Sequence, residues 1–161
     1  MKQMARLSIQ KVHVGEKDTN CYVIACAETK EAVVIDPGGD APKILSQLDG
    51  LNVKWIAFTH AHPGHTGAKD EVKSATHGTT AMHLADATTY LKSAERYLLS
   101  TDTLPFGQFA LEVLITPGHT PGGLSYKVGN HVFTGDTATV PIRLSAPSEL
   151  ETRISGSVRP A

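Results

Sequence analysis

What narrows the possibilities for this chain is one loop: Thr59-His60-Ala61-His62-Pro63-Gly64-His65-Thr66-Gly67 follows directly on the β-rich apolar run Val53-Lys54-Trp55-Ile56-Ala57-Phe58. Neutral histidine is a common nitrogen ligand for zinc and iron, and a single strand-end loop can converge several imidazoles on one ion. Three of them within six positions, beside a proline and a glycine that restrict the backbone, read as a metal-binding loop. Chance clustering is the competing reading, because a lone histidine is more often a surface or core residue than a ligand. His13, His77, His83 and His131 are read in that ordinary way.

The rest of the chain alternates short apolar runs with turn-forming residues. Leu7, Ile9 and Val12 to Val14 predict a first strand and Cys21 to Cys26 a second, with Gly15-Glu16-Lys17-Asp18 as the turn between them. Ala32 to Ile35 predicts a third, ending at Asp36-Pro37-Gly38-Gly39-Asp40. Pro42 can then open a helix whose apolar face is Ile44, Leu45 and Leu48. Downstream, the spacing predicts helices over 66–74 and 84–99, the second from Leu84, Ala87, Leu91, Ala94 and Leu98. A strand is predicted over 78–83, and further strands over 109–115, 123–128 and 131–133. Such a mixture belongs to the α/β (α+β) class.

With 161 residues, the chain has the size of one domain. Positions 1–136 form its body, and 137–161, interrupted by Pro141, Pro147 and Pro160, read as a short, loosely ordered C-terminal tail. Within that tail, Val140, Ile142 and Leu144 alternate as a short edge strand would. Basic and acidic residues nearly balance, at 15 and 16, with no run of like charge, so nothing supports a nucleic-acid or anionic-membrane surface. Aromatics at 6% are too sparse for a base-stacking platform. No secretory signal and no stretch of roughly 18 apolar residues is present, so a soluble, cytoplasmic protein without membrane contact is expected. Cys21 and Cys26 are five residues apart in one strand, which at ~3.3 Å per residue exceeds a disulfide's reach of ~7 Å. Reduced thiols suit a cytosolic compartment.

Two further turns carry candidate ligands. Thr116-Pro117-Gly118-His119-Thr120-Pro121-Gly122-Gly123 places His119 after the strand ending at Ile115, and Thr134-Gly135-Asp136-Thr137 places Asp136 after Phe133. Either could be ordinary turn chemistry when taken alone. Together with the histidine loop they form three strand ends delivering groups to one rim.

This set resembles the metallo-β-lactamase superfamily, whose signature is a Thr-His-x-His-x-Asp-His loop followed by a Gly-His turn and a Gly-Asp turn. The nearest likeness is to its glyoxalase II-like branch, the hydroxyacylglutathione hydrolases. It runs through Asn20-Cys21-Tyr22-Val23-Ile24, Val34-Ile35-Asp36-Pro37-Gly38-Gly39, the histidine loop, the His119 turn and Gly135-Asp136-Thr137. The resemblance implies an αββα sandwich with the metal site at one edge of the two sheets. It also implies that His60, His62 and His119 hold one metal, and that Asp136 touches it and a second where one is present. His65 and Asp136 would serve that second site and the attacking water. The implied chemistry is metal-dependent hydrolysis of a small-molecule acyl-thioester, ester or lactone.

The chain departs from the family's pattern at two places. Gly64 stands where the family's loop carries its aspartate, and no histidine follows His131. Both groups serve the second metal in relatives, so one zinc is expected, with the second weak or absent and activity below that of a complete relative. Relatives also continue well past the Gly-Asp turn, whereas 25 residues follow Asp136 here. The C-terminal part of the sandwich is therefore expected to be incomplete, and a homodimer covering exposed apolar sheet is one way to compensate. An alternative is a persulfide dioxygenase-like enzyme with a single iron on His60, His119 and Asp136, a two-histidine-one-carboxylate set. A third is a degenerate, non-catalytic metal-binding member. Asp36 either accepts a ligand histidine's free N–H or caps the turn at Pro37.

Overall fold

The computed structural model describes residues 6–15, 19–59, 66–89, 92–99, 101–115, 124–133 and, for their backbone, 142–143. A six-stranded sheet is built from β1 (Leu7–Val14), β2 (Thr19–Cys26), β3 (Glu31–Ile35), β4 (Asn52–Ala57), β5 (Thr79–His83) and β6 (Arg96–Leu98), paired in that order. The first three strands run antiparallel as hairpins, and β3 to β6 are parallel, joined through α1 (Ala41–Gln47), α2 (Lys69–Thr76) and α3 (Leu84–Thr89). Beneath it lies a second, antiparallel sheet of β7 (Thr103–Phe106), β8 (Phe109–Ile115), β9 (Leu124–Val128), β10 (His131–Phe133) and β11 (Ile142–Arg143).

Strand periodicity separates two cores. Alternate residues of the first sheet, among them Val23, Val34, Ile56, Phe58 and Met82, face α1 and α2 and pack on Ile44 and Val72. The opposite set, Ile24, Val33, Ile35, Ala57 and Leu98, meets Leu104, Phe106, Leu111, Val113, Tyr126 and Phe133 of the second sheet. Strands buried on both faces read as continuous apolar runs, which is why β3 and the second half of β4 stand out in the sequence. Among the described residues the layers are helix, sheet, sheet. The second sheet's outer face carries Glu112 and Lys127, 3.9 Å apart, while the large exposed apolar side chains are Leu84, Tyr97 and Leu99.

The predicted helix over 84–99 is corrected. The helix ends at Thr89, and Arg96 to Leu98 form a strand parallel to β5. Leu84, at the head of the supposed apolar stripe, is 53% exposed, whereas Leu98 is fully buried between the sheets. Extending the sheet by one parallel strand buries Leu98 and lets Arg96 lie over the Trp55 ring, 5.3 Å from its centre. The strand β7, which contains Pro105, had no sequence reading. It is an edge strand, where a missing N–H is tolerated, and the Pro105 carbonyl accepts the Trp55 indole N–H at 2.9 Å. The predicted helix over 66–74 lies at Lys69–Thr76.

Candidate functional site

The five candidate ligands, His60, His62, His65, His119 and Asp136, lie outside the described residues, as does Gly64. Among the described residues no group of three histidines, cysteines or carboxylates could hold a metal ion. The structure does fix the points from which the candidate loops leave the sheets, and these points are neighbours.

The histidine loop leaves from Phe58-Thr59, just beyond β4. The His119 turn spans the gap between Ile115 of β8 and Leu124 of β9, which are paired directly across the hairpin. The Leu124 N–H donates to the Thr59 carbonyl at 2.6 Å, so the start of one loop and the end of the other share a hydrogen bond. Phe133, three residues before Asp136, pairs with Tyr126 on β9. The Tyr126 hydroxyl in turn donates to the Phe58 carbonyl at 2.5 Å. Anchors of all three loops therefore gather at one rim, where the first sheet meets the second.

Asp36 lies at the centre of this rim. It leaves β3 with a left-handed φ of 56°, an uncommon conformation for a residue other than glycine, and its side chain is 1% exposed. Its N–H donates to the Ala57 carbonyl at 3.0 Å. Its carboxylate accepts the Thr59 N–H at 2.8 Å and the Thr59 hydroxyl at 2.6 Å. Asp36 thus braces the residue immediately before His60.

The negative charge is felt around it. Burial, and then the Asp36 carboxylate, push the Cys21 thiol and the Tyr22 and Tyr126 phenols above their ordinary ranges. Tyr22 meets Phe133 edge to face, with ring centres 4.8 Å apart. Among the described residues, two buried side-chain polar atoms have no hydrogen-bond partner: Asn20 Oδ1, beside Tyr22, and Thr66 Oγ1, directly after the histidine loop.

The other histidines have ordinary roles. His77 ends α2 in a left-handed conformation, its N–H on the Lys73 carbonyl at 2.8 Å. The His83 Nδ1 accepts the Ala85 N–H at 3.0 Å, and His13 and His131 are exposed. Both cysteines are free and buried. Sequence reasoning passed over Tyr126 and Thr59. The available signal was a tyrosine at an inward position between Leu124 and Val128, since a buried phenol must find an acceptor.

A two-sheet α/β sandwich, with the histidine- and aspartate-bearing segments leaving from neighbouring strand ends, defines the class of fold to which the chain belongs. The chain belongs to the metallo-beta-lactamase superfamily, whose family model matches residues 14–160. It is 33% identical over 121 residues to a probable polyketide biosynthesis zinc-dependent hydrolase, BaeB, of Bacillus velezensis, covering 73% of this chain and 54% of that one. It is 34% identical over 122 residues to the hydroxyacylglutathione hydrolase of Anaeromyxobacter dehalogenans, covering 75% and 46%. The crystal structure of ETHE1 from Myxococcus xanthus superposes with a TM-score of 0.74 at 29% identity, over 83% of this chain and 59% of that one. The chain thus spans about half the length of these curated relatives. No helix among the described residues is long and apolar enough to cross a membrane.

Proposed function

We propose that this chain is a metal-dependent hydrolase acting on a thioester, ester or lactone, with one well-formed zinc site on His60, His62, His119 and Asp136. The observation that carries the reading is the hydrogen bond from Leu124 to Thr59, which anchors the loop of His60 and His62 beside the turn of His119. The donor set fits the ion: neutral imidazoles and a carboxylate are zinc's usual partners, and Thr66, directly after the histidine loop, carries a buried hydroxyl without a hydrogen-bond partner. When bound, the metal supplies a water of lowered pKa and a Lewis acid for a carbonyl. Asp36 and Thr59 hold the strand end from which the first two ligands depart, and Asp136 and His65 are assigned to orient the attacking water and take its proton. Gly64 contributes no side chain, so a second ion is held weakly or not at all. The buried free thiols suit a reducing compartment, and the cytoplasm is the location proposed.

The likeness to ETHE1 favours a second reading, a persulfide dioxygenase-like enzyme with one iron on His60, His119 and Asp136. Metal analysis of the purified chain, with thioester-cleavage and oxygen-uptake assays, separates the two. Zinc with thioester turnover supports the hydrolase, and iron with oxygen consumption supports the alternative. His62→Ala and His119→Ala are each expected to lose metal and activity together, while His77→Ala and His131→Ala retain both. Equal losses in all four variants would refute the ligand assignment.

A further inference from the structure

We infer that Tyr126 is a positioning residue for the metal loop, acting from the second sheet on a strand end of the first. The proposal rests on the metal-site reading above and adds a residue to it. Tyr126 is fully buried on β9, at a place where the neighbouring inward positions, Leu124 and Val128, are aliphatic. A phenol there costs desolvation unless its hydroxyl finds an acceptor, and the acceptor it has is the Phe58 carbonyl.

Phe58 has no place in the β4 ladder itself, which ends at Ala57. Its N–H is taken by the Ala81 carbonyl at 3.1 Å, and its carbonyl by Tyr126. Thr59 follows with its N–H on Asp36 and its carbonyl on the Leu124 N–H. Each backbone polar group of the two residues preceding His60 is thereby occupied, and both carbonyls are held by β9. Tyr126, through its side-chain hydroxyl, and Leu124, through its backbone N–H, lie two residues apart on that strand and grip successive carbonyls of one strand end. Since Leu124 also closes the His119 turn, Tyr126 fixes the spacing between the two loops on which the proposed ligands sit.

A ligand set assembled from two sheets binds an ion only as well as the sheets hold their register. Supporting groups of this kind typically contribute 10–100-fold in metal affinity. Tyr126→Phe keeps the ring and removes the clamp. Val128→Ala, on the same strand and equally inward, lowers stability without touching it and serves as the control.

The experiment is zinc titration of the wild type and both variants against a competing chelator, with the visible spectrum of the cobalt-substituted forms. Hydrogen exchange at Phe58, Thr59 and Thr66 is followed alongside. The expected result is a zinc Kd raised about tenfold or more and an altered cobalt spectrum in Tyr126→Phe, with Val128→Ala keeping the wild-type values despite its lower Tm. An unchanged Kd and spectrum in Tyr126→Phe, or equal weakening in both variants, would overturn the proposal. Should the wild type bind neither ion, the metal-site reading fails by itself. Hydrogen exchange then decides the positioning role: it stands if Tyr126→Phe alone loses protection at these amides and falls if the two variants match.

Discussion

Thr59 is a small residue with an unusual number of obligations. Its N–H and hydroxyl both serve Asp36, and its carbonyl serves Leu124. A hydrogen bond to a charged acceptor contributes about 1.5–3 kcal/mol, and a buried carboxylate that loses a donor is penalised further. Thr59→Val is nearly isosteric and retains the N–H and carbonyl bonds, so it isolates the hydroxyl. The expected outcome is a loss of about 1.5–3 kcal/mol in urea unfolding with an unchanged m-value. A variant as stable as wild type would show that the hydroxyl bond at 2.6 Å carries no load. Asp36 was legible in the sequence as a turn residue with two possible roles. The structure has its carboxylate bracing the start of the histidine loop, a role that no local pattern announces because its partner is 23 residues away.

At the scale of elements, β2 and β9 both bring titratable groups toward that carboxylate. Cys21 and Tyr22 lie on β2 and Tyr126 on β9, and burial followed by the Asp36 charge raises all three. A raised folded-state pKa means that the native form holds its proton more tightly than the unfolded chain does. The associated stability is therefore present below the ordinary values, 9.0 for the thiol and 10.0 for the phenols, and is lost as pH rises past them. Urea midpoints are expected to fall beyond pH ~9. Cys21→Ala should delay the onset toward the tyrosine range. A midpoint rising between pH 9 and 11 would contradict the burial of these groups. The two strands also show where sequence legibility ends. Runs such as Ala32 to Ile35 and Trp55 to Phe58 are apolar on both faces and announce buried strands. Arg96-Tyr97-Leu98 mixes polar and apolar residues in a segment with helical spacing, and only the open edge beside β5 makes it a strand. In the same way, the candidate ligands were legible as strand-end turns, but the closeness of the strand ends from which those turns leave depends on contacts between the sheets, which neither periodicity nor spacing encodes.

For the molecule as a whole, the proposed metal is a cross-link between sheets. His60 and His62 follow β4 of the first sheet, while His119 and Asp136 follow β8 and β10 of the second. Between the sheets lie an apolar core and, at the rim, the two bonds from β9 to Phe58 and Thr59. An ion held from both sides binds the native state and has no comparable site in the unfolded chain, so it must raise the unfolding free energy by RT ln(1 + [L]/Kd). At a free zinc concentration of about 100 times Kd the gain is about 2.7 kcal/mol. In a domain of this size each kcal/mol moves Tm by roughly 2–4 °C, so stripping with a chelator should lower Tm by about 5–10 °C and zinc should restore it. The dependence also distinguishes one strong site from two. A single site gives a shift that grows with the logarithm of free zinc at one slope, whereas a second, weaker site would steepen it at high zinc. His119→Ala should abolish the shift, because it removes the one imidazole that the second sheet contributes and leaves only Asp136 on that side. A wild-type Tm indifferent to zinc and to iron would rule out a metal bound between the sheets.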